Sequence, residues 1–108
     1  YVRGGYNVYP AEVENTIARH PAVAQCAVVG TGDARLGEVG VAFVVAADPA
    51  SPPSLDELRR WVADSLADYK RPDRLVTIGA LPLTSMHKPD KGALARMLDD
   101  SDDAGGGA

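Results

Sequence analysis

Leu55, Leu58, Val62, Leu66 and Tyr69 recur at spacings of three and four, with Trp61 beside them. That period marks one face of an α-helix, and a helix with a single apolar face must bury it against another element. Ser54-Leu55-Asp56-Glu57 ahead of the stripe reads as a capping box, in which the serine hydroxyl and the glutamate each satisfy an exposed amide. All six apolar residues are therefore expected in a core. The partner surface lies in the flanking segments. Residues 23–29 form a short apolar run closed by Gly30, and residues 38–47 alternate Val39, Val41, Phe43 and Val45 against Gly40, Ala42 and Val44. Both read as strands, the second with one face larger than the other. Residues 74–78 alternate as a third strand. Before them, residues 10–20 carry Val13 and Ile17 four apart, Pro10 suits a first helical turn, and His20-Pro21 ends that helix. Residues 90–98, with Leu94, Met97 and Leu98 on one side, form a short final helix, and Gly4-Gly5 opens the chain as a tight turn.

The expected fold is α+β: a small, mainly antiparallel sheet of about three strands plus an N-terminal hairpin, with helices over one face. Residues 1–98 form one domain, which 108 residues at 45% hydrophobic can support. Residues 99–108 read as a disordered acidic and glycine-rich tail.

Charge narrows the function. Acidic residues outnumber basic ones 15 to 11, but Asp99, Asp100, Asp102 and Asp103 sit in that tail, so the body is neutral. A neutral body argues against nucleic-acid binding, which needs clustered Lys and Arg. Cys26 is the one cysteine and lies in an apolar run, so it reads as a small core thiol in a reducing compartment. No run approaches the roughly 20 apolar residues of a membrane span, and the first residues lack a signal-peptide layout, so a cytoplasmic location is expected. His20 and His87 are far apart and Cys26 has no thiol partner, so no metal site is expected. No phosphate-cradling glycine loop is present either.

What remains is the unperiodic stretch 79–89, with three structure breakers and a lysine, Lys88, near its end. A lysine is a mobile cation on a long stem, suited to a developing negative charge on an acyl or phosphoryl oxygen. On residue type alone, Lys88 reads as a solvated surface charge, since exposed lysines far outnumber catalytic ones.

Two segments change that balance. Gly4-Gly5-Tyr6-Asn7-Val8-Tyr9-Pro10-Ala11-Glu12-Val13-Glu14 resembles the "GGxNVYPxEVE" of adenylate-forming enzymes, the superfamily of acyl-CoA synthetases, luciferases and peptide-synthetase adenylation domains. Leu81-Pro82-Leu83-Thr84-Ser85-Met86-His87-Lys88-Pro89-Asp90-Lys91-Gly92-Ala93-Leu94 resembles the family's "LPxTxxGKxxKxxL". Asp33-Ala34-Arg35-Leu36-Gly37-Glu38, Ala42-Phe43-Val44 and Tyr69-Lys70-Arg71-Pro72 fall between them in the family's order. The likeness covers residues 2 to about 98 and is that of the family's small C-terminal domain, of the acyl-CoA synthetase or fatty-acid–CoA ligase type.

The resemblance implies a division of labour. A large N-terminal domain of the same enzyme would bind ATP, its Mg2+ and the carboxylic acid, while the small domain alternates between two poses. In the first, Lys88 would meet the carboxylate and α-phosphate during acyl-adenylate formation. In the second, Gly4, Gly5, Tyr6, Asn7 and Tyr9 would line the pantetheine tunnel during thioester formation with CoA; for Tyr6 and Tyr9, packing within the hairpin is the competing reading. The fragment alone would hold no cofactor and be inactive. Two departures bear on the loop: His87 stands where the family has glycine, although histidine visits positive φ more readily than most residues, and Pro89 follows the lysine directly and stiffens it. Lys70, Arg71 and Arg74 could meet a nucleotide phosphate of CoA, but a solvated helix terminus accounts for them better. Lys88 also matches a lysine type subject to reversible acetylation, which would remove its charge. The alternatives are an adenylation domain that loads a carrier protein and a non-catalytic α+β interaction module.

Overall fold

The computed structural model describes the backbone of residues 1–106 and the side chains of residues 1–99. In chain order the elements are β1 (Val2–Arg3), β2 (Tyr6–Asn7), α1 (Pro10–Ala18), β3 (Val23–Asp33), β4 (Gly37–Ala46), α2 (Leu55–Ala63), a 3₁₀ turn (Asp68–Lys70), β5 (Arg74–Thr77) and α3 (Lys91–Gly106). The architecture is α+β, as expected, with a five-stranded sheet centred on β4. On one side β3 pairs antiparallel with β4 from Val23↔Ala46 to Asp33↔Gly37. On the other side β1 meets β4 at Arg3↔Gly37, and β5 runs parallel to it from Val41↔Arg74 to Val44↔Thr77. That one parallel pair follows from the crossover through α2, because strands joined by a helix can lie parallel where a hairpin cannot make them so.

Helices cover both faces of the sheet, not one. Ala42 and Val44 join Val13, Ile17, Val28, Leu58 and Val62 beneath α1 and α2, whereas Val41 and Phe43 join Ala27, Val29, Leu94 and Leu98 beneath α3. The reason lies in β4 itself. Its smaller face was glycine, alanine and valine, with nothing polar, and a strand apolar on both sides asks to be covered on both. The larger face, Val41 and Phe43, is the one that meets α3.

The long stripe is also divided. The amides of Ser65 and Leu66 both close on the Val62 carbonyl, at 3.0 and 2.8 Å, and Ala67 is extended. Asp64 and Ser65 compete with helical backbone bonding, so the helix stops near them. Leu66 and Tyr69 nonetheless pack against the α1/α2 core from the following turn. At the start of α2, Ser54 Oγ accepts from the Glu57 amide at 3.1 Å, the serine half of the expected box. Trp61 Nε1 donates to the Thr16 carbonyl at 2.7 Å, tying α2 to α1.

In α3, Leu94 and Leu98 are buried while Met97 is 39% exposed, so Met97 lies off the core side assigned to it. The tail expected over 99–108 falls mostly beyond the described side chains, and residues 107 and 108 lie outside the described residues. Among the described residues, no helix is long and apolar enough to cross a membrane.

Candidate functional site

The sequence-predicted residues fall into two groups. The first is the turn between β1 and β2. Gly4 and Gly5 adopt φ of +55° and +87°, and Arg3 pairs with Tyr6 across them. Two successive positive φ values are what a two-residue hairpin turn of the twist-matched kind requires, so both glycines are conformationally determined. The Gly4 amide donates to the Leu36 carbonyl at 2.8 Å. Leu36 is itself placed by Asp33, whose carboxylate accepts the Leu36 and Arg35 amides at 2.9 Å each and is thereby held below the usual carboxylate range. Asn7 is exposed, as are Tyr6 (58%) and Tyr9 (64%), yet Val8 among them is fully buried. The Tyr6 ring stacks on Tyr69 with centroids 4.6 Å apart, so its packing partner lies outside the hairpin. Tyr9 stands at the N-cap of α1 without a side-chain cap bond.

Two fastenings, neither expected from the sequence, hold this turn to β4. Gly30 and Gly40 are cross-strand partners, and the Tyr1 ring lies over both. A Cβ at Gly40 would stand 2.1 Å from the Tyr1 hydroxyl oxygen, and one at Gly30 would stand 2.6 Å from Tyr1 Cβ. Burial pushes the Tyr1 phenol up to about 12, and its oxygen has no hydrogen-bond partner among the described residues. Backbone bonds of 2.9 and 2.8 Å join Tyr1 and Val8 in both directions. The second fastening is Arg3, which donates to both carboxylate oxygens of Asp73 at 2.8–3.0 Å. Asp73 also accepts the Gly40 amide at 3.0 Å and donates its own amide to the Gly40 carbonyl at 2.8 Å.

The second group is the hairpin carrying Lys88. Leu83 and Pro89 form a bridge, Thr84 donates its amide to the Lys88 carbonyl at 2.7 Å, and Asp90 donates its amide to the Pro82 carbonyl at 2.8 Å. The Thr84 hydroxyl accepts from the Met86 and Lys88 amides at 3.2 and 3.4 Å. His87 adopts φ +61° at the tip, so it takes the left-handed geometry that a glycine would supply there. Leu81 anchors the segment in the α3 core. Lys88 is exposed, and its ammonium makes no ion pair or hydrogen bond among the described residues.

At the base of this hairpin Asp90 caps α3 by accepting the Ala93 amide at 3.0 Å. Lys91 follows, and its ammonium donates to the Val28 carbonyl at 2.7 Å and pairs with Glu14. Glu14 in turn accepts the Val28 amide at 2.7 Å. In the sequence Lys91 stands out only as part of the motif, and its pairing with Glu14 has no local signature.

Other singled-out groups are structurally engaged. Lys70 pairs with Glu12 at 2.6 Å, and Arg71 Nε donates to the Asp68 carbonyl at 3.1 Å, which fits the helix-terminus reading of the basic group. Cys26 is half-buried against the α1/α2 core, and burial pushes its thiol up to about 12. Among the described residues, no three His, Cys, Asp or Glu side chains gather to hold a metal.

The two groups are anchored on opposite faces: Val8 sits in the α1/α2 core and Leu81 in the α3 core. One offers a cation on a braced turn, the other a backbone turn flanked by aromatic rings. Among the described residues no hydroxyl of either group is hydrogen-bonded to an imidazole or carboxylate, and the Thr84 hydroxyl accepts only backbone amides, so the chemistry they offer is charge stabilisation and ligand enclosure.

Comparison with known proteins gives a consistent result. Residues 12–88 match the model of the AMP-binding enzyme C-terminal domain. The chain is 46% identical over 95 residues to a feruloyl-CoA synthase of Amycolatopsis, covering 88% of this chain and 19% of that protein. It is 41% identical over 99 residues to a medium/long-chain fatty-acid–CoA ligase of Mycobacterium tuberculosis, covering 86% and 17%. Among solved structures, a malonyl-CoA ligase with methylmalonyl-CoA and AMP bound superposes with a TM-score of 0.74 at 44% identity, covering 76% of this chain and 18% of that one. The chain thus spans about a fifth of the length of the curated relatives it matches.

Proposed function

The chain belongs to the AMP-binding enzyme C-terminal domain family, and from that premise we propose that it is the mobile small domain of an acid–CoA ligase. The substrates of the whole enzyme are ATP, a carboxylic acid and CoA, and the N-terminal domain of the same enzyme holds the ATP with its Mg2+. The observation that carries this reading is Lys88: an exposed ammonium with no partner among the described residues, on a turn closed by four hydrogen bonds among Thr84, Met86, His87 and Lys88.

In the first half-reaction a carboxylate oxygen attacks the α-phosphorus of ATP, and pyrophosphate leaves with the bonding electron pair. Lys88 stabilises the negative charge on the carboxylate and phosphoryl oxygens, without taking up a proton. In the second, the CoA thiolate attacks the acyl carbon and AMP departs. The 4–9 turn then faces the reacting atoms: Gly4 and Gly5 let backbone approach the pantetheine arm, and Tyr6 and Tyr9 flank it. Fatty-acid metabolism and a cytoplasmic location belong to this same proposal.

The test is a split of half-reactions in the enzyme that carries this domain. Lys88→Ala lowers acyl-dependent pyrophosphate exchange by roughly 100- to 1,000-fold, while thioester formation from supplied acyl-adenylate persists. Gly5→Leu, forced to φ +87°, gives the opposite pattern. Equal loss of both half-reactions in Lys88→Ala would remove the assigned role. Free CoA as acceptor separates this reading from carrier-protein loading.

A further inference from the structure

Val28 lies on the open edge of the sheet. Its partner on β4 is Ala42, and among the described residues β3 has no strand on its other side. The Val28 amide is taken by Glu14 of α1 at 2.7 Å and its carbonyl by Lys91 of α3 at 2.7 Å, and the two side chains pair with each other. Helices on opposite faces of the sheet are thus strapped together across its edge, at one peptide position.

The strap ends where the catalytic hairpin begins. Lys91 is the first residue of α3, and the preceding residue, Asp90, closes the hairpin through the Pro82 carbonyl. Beside it is a shallow, open surface groove of about 400 Å³ lined by Pro10, Val28, Val29, Gly30, Gly92 and Ala95 along with Lys91 itself. The Lys91 side chain is 41% exposed, and its ammonium is held at the Val28 carbonyl and the Glu14 carboxylate. Its position is set by its two polar contacts. We infer that Lys91, paired with Glu14, is a positioning residue for Lys88, fixing the base of the 83–89 hairpin to the edge of β3. The inference rests on the function proposed for Lys88. A lysine tip displaced by about 1 Å loses much of its transition-state contact, at a cost of up to roughly 100-fold in rate.

The experiment compares Lys91→Met, Lys91→Arg, Glu14→Gln and Lys88→Ala in the enzyme that carries this domain. Pyrophosphate exchange, thioester formation from supplied adenylate, thermal midpoint and amide hydrogen exchange are read for each. Lys91→Met is expected to lower pyrophosphate exchange by roughly 10- to 100-fold with thioester formation nearly unchanged. It also speeds exchange of the Thr84 and Lys88 amides relative to Leu94. Lys91→Arg restores most of the rate, because a guanidinium can reach both the carboxylate and the carbonyl. Glu14→Gln, which can still accept from Val28, gives a smaller loss of the same kind and serves if Lys91→Met does not fold. Unchanged adenylation in both Lys91→Met and Glu14→Gln, with Lys88→Ala inactive, overturns the positioning role and leaves the function standing. A fall of both half-reactions together, tracking the thermal midpoint, overturns it too. Full adenylation by Lys88→Ala would instead refute the proposed function.

Discussion

Gly40→Ala tests whether the Tyr1 ring occupies the slot formed by two facing glycines. The new methyl group would stand 2.1 Å from the Tyr1 oxygen and 2.8 Å from Cζ, whereas ordinary contact begins near 3.4 Å. The ring must therefore move by more than about 1 Å, or the strands must part, and overpacking of this kind costs about 1–3 kcal/mol. With Tyr1→Ala already in place the clash is gone. Alanine then improves on glycine in a strand by about 0.5–1 kcal/mol, because it has less backbone freedom to lose. The two substitutions should consequently be coupled by about 2 kcal/mol, within the range for residues in direct contact. Urea unfolding of the four members of the cycle reads this out. At a slope of about 1.5 kcal/mol per M, Gly40→Ala alone lowers the midpoint by roughly 1 M, and in the Tyr1→Ala background it leaves the midpoint level or higher. Additive effects, within about 0.5 kcal/mol, would mean that the ring does not fill the slot.

Two further predictions follow from local geometry. At His87, φ +61° is strained for any side chain, so His87→Gly raises stability by up to about 1 kcal/mol and His87→Val lowers it by about 1–2 kcal/mol; a stable valine variant would contradict the turn described. Cys26 and Tyr1 are both held neutral, each up to about 12 by burial. Because their unfolded values are lower, near 8.5 and 10, the stability they contribute is complete below those values and is lost as pH rises toward 12. Urea midpoints measured from pH 8 to 12 should fall, and Cys26→Ala should remove the part of the decline that begins near pH 9. A Cys26 thiol that reacts with a disulfide reagent at pH 8 as fast as a free cysteine would argue against its burial.

Local signals were the legible ones. The stripe beginning at Leu55, the alternation of β4 and the glycine turn at 4–5 each follow from a short period or a backbone requirement, and each forms an element near its expected place. The placement of α3 was not legible, because alternation of large and small apolar residues in β4 does not say which faces are wet. The break after Ala63 was masked by a stripe that continues in register on a separate turn. At the sites, Lys88 and the 4–9 residues came from motifs, whereas what holds them did not. Arg3 and Asp73 are 70 residues apart, and Glu14 and Lys91 are 77. No periodicity connects residues so distant. One weak trace existed: Gly30 and Gly40 are equidistant from Arg35, the middle of the 33–37 turn, as two residues facing each other across a hairpin must be.

Neighbouring positions on β4 serve different masters. Ala42 looks into the half of the core that holds Val8, while Phe43, the very next residue, looks into the half that holds Leu81. The strand is a party wall between two rooms, each furnished for one of the loops. Remodelling Phe43 should therefore be felt at the lysine tip and remodelling Ala42 at the glycine turn, so that sequence drift can adjust either loop while the other stays as it was.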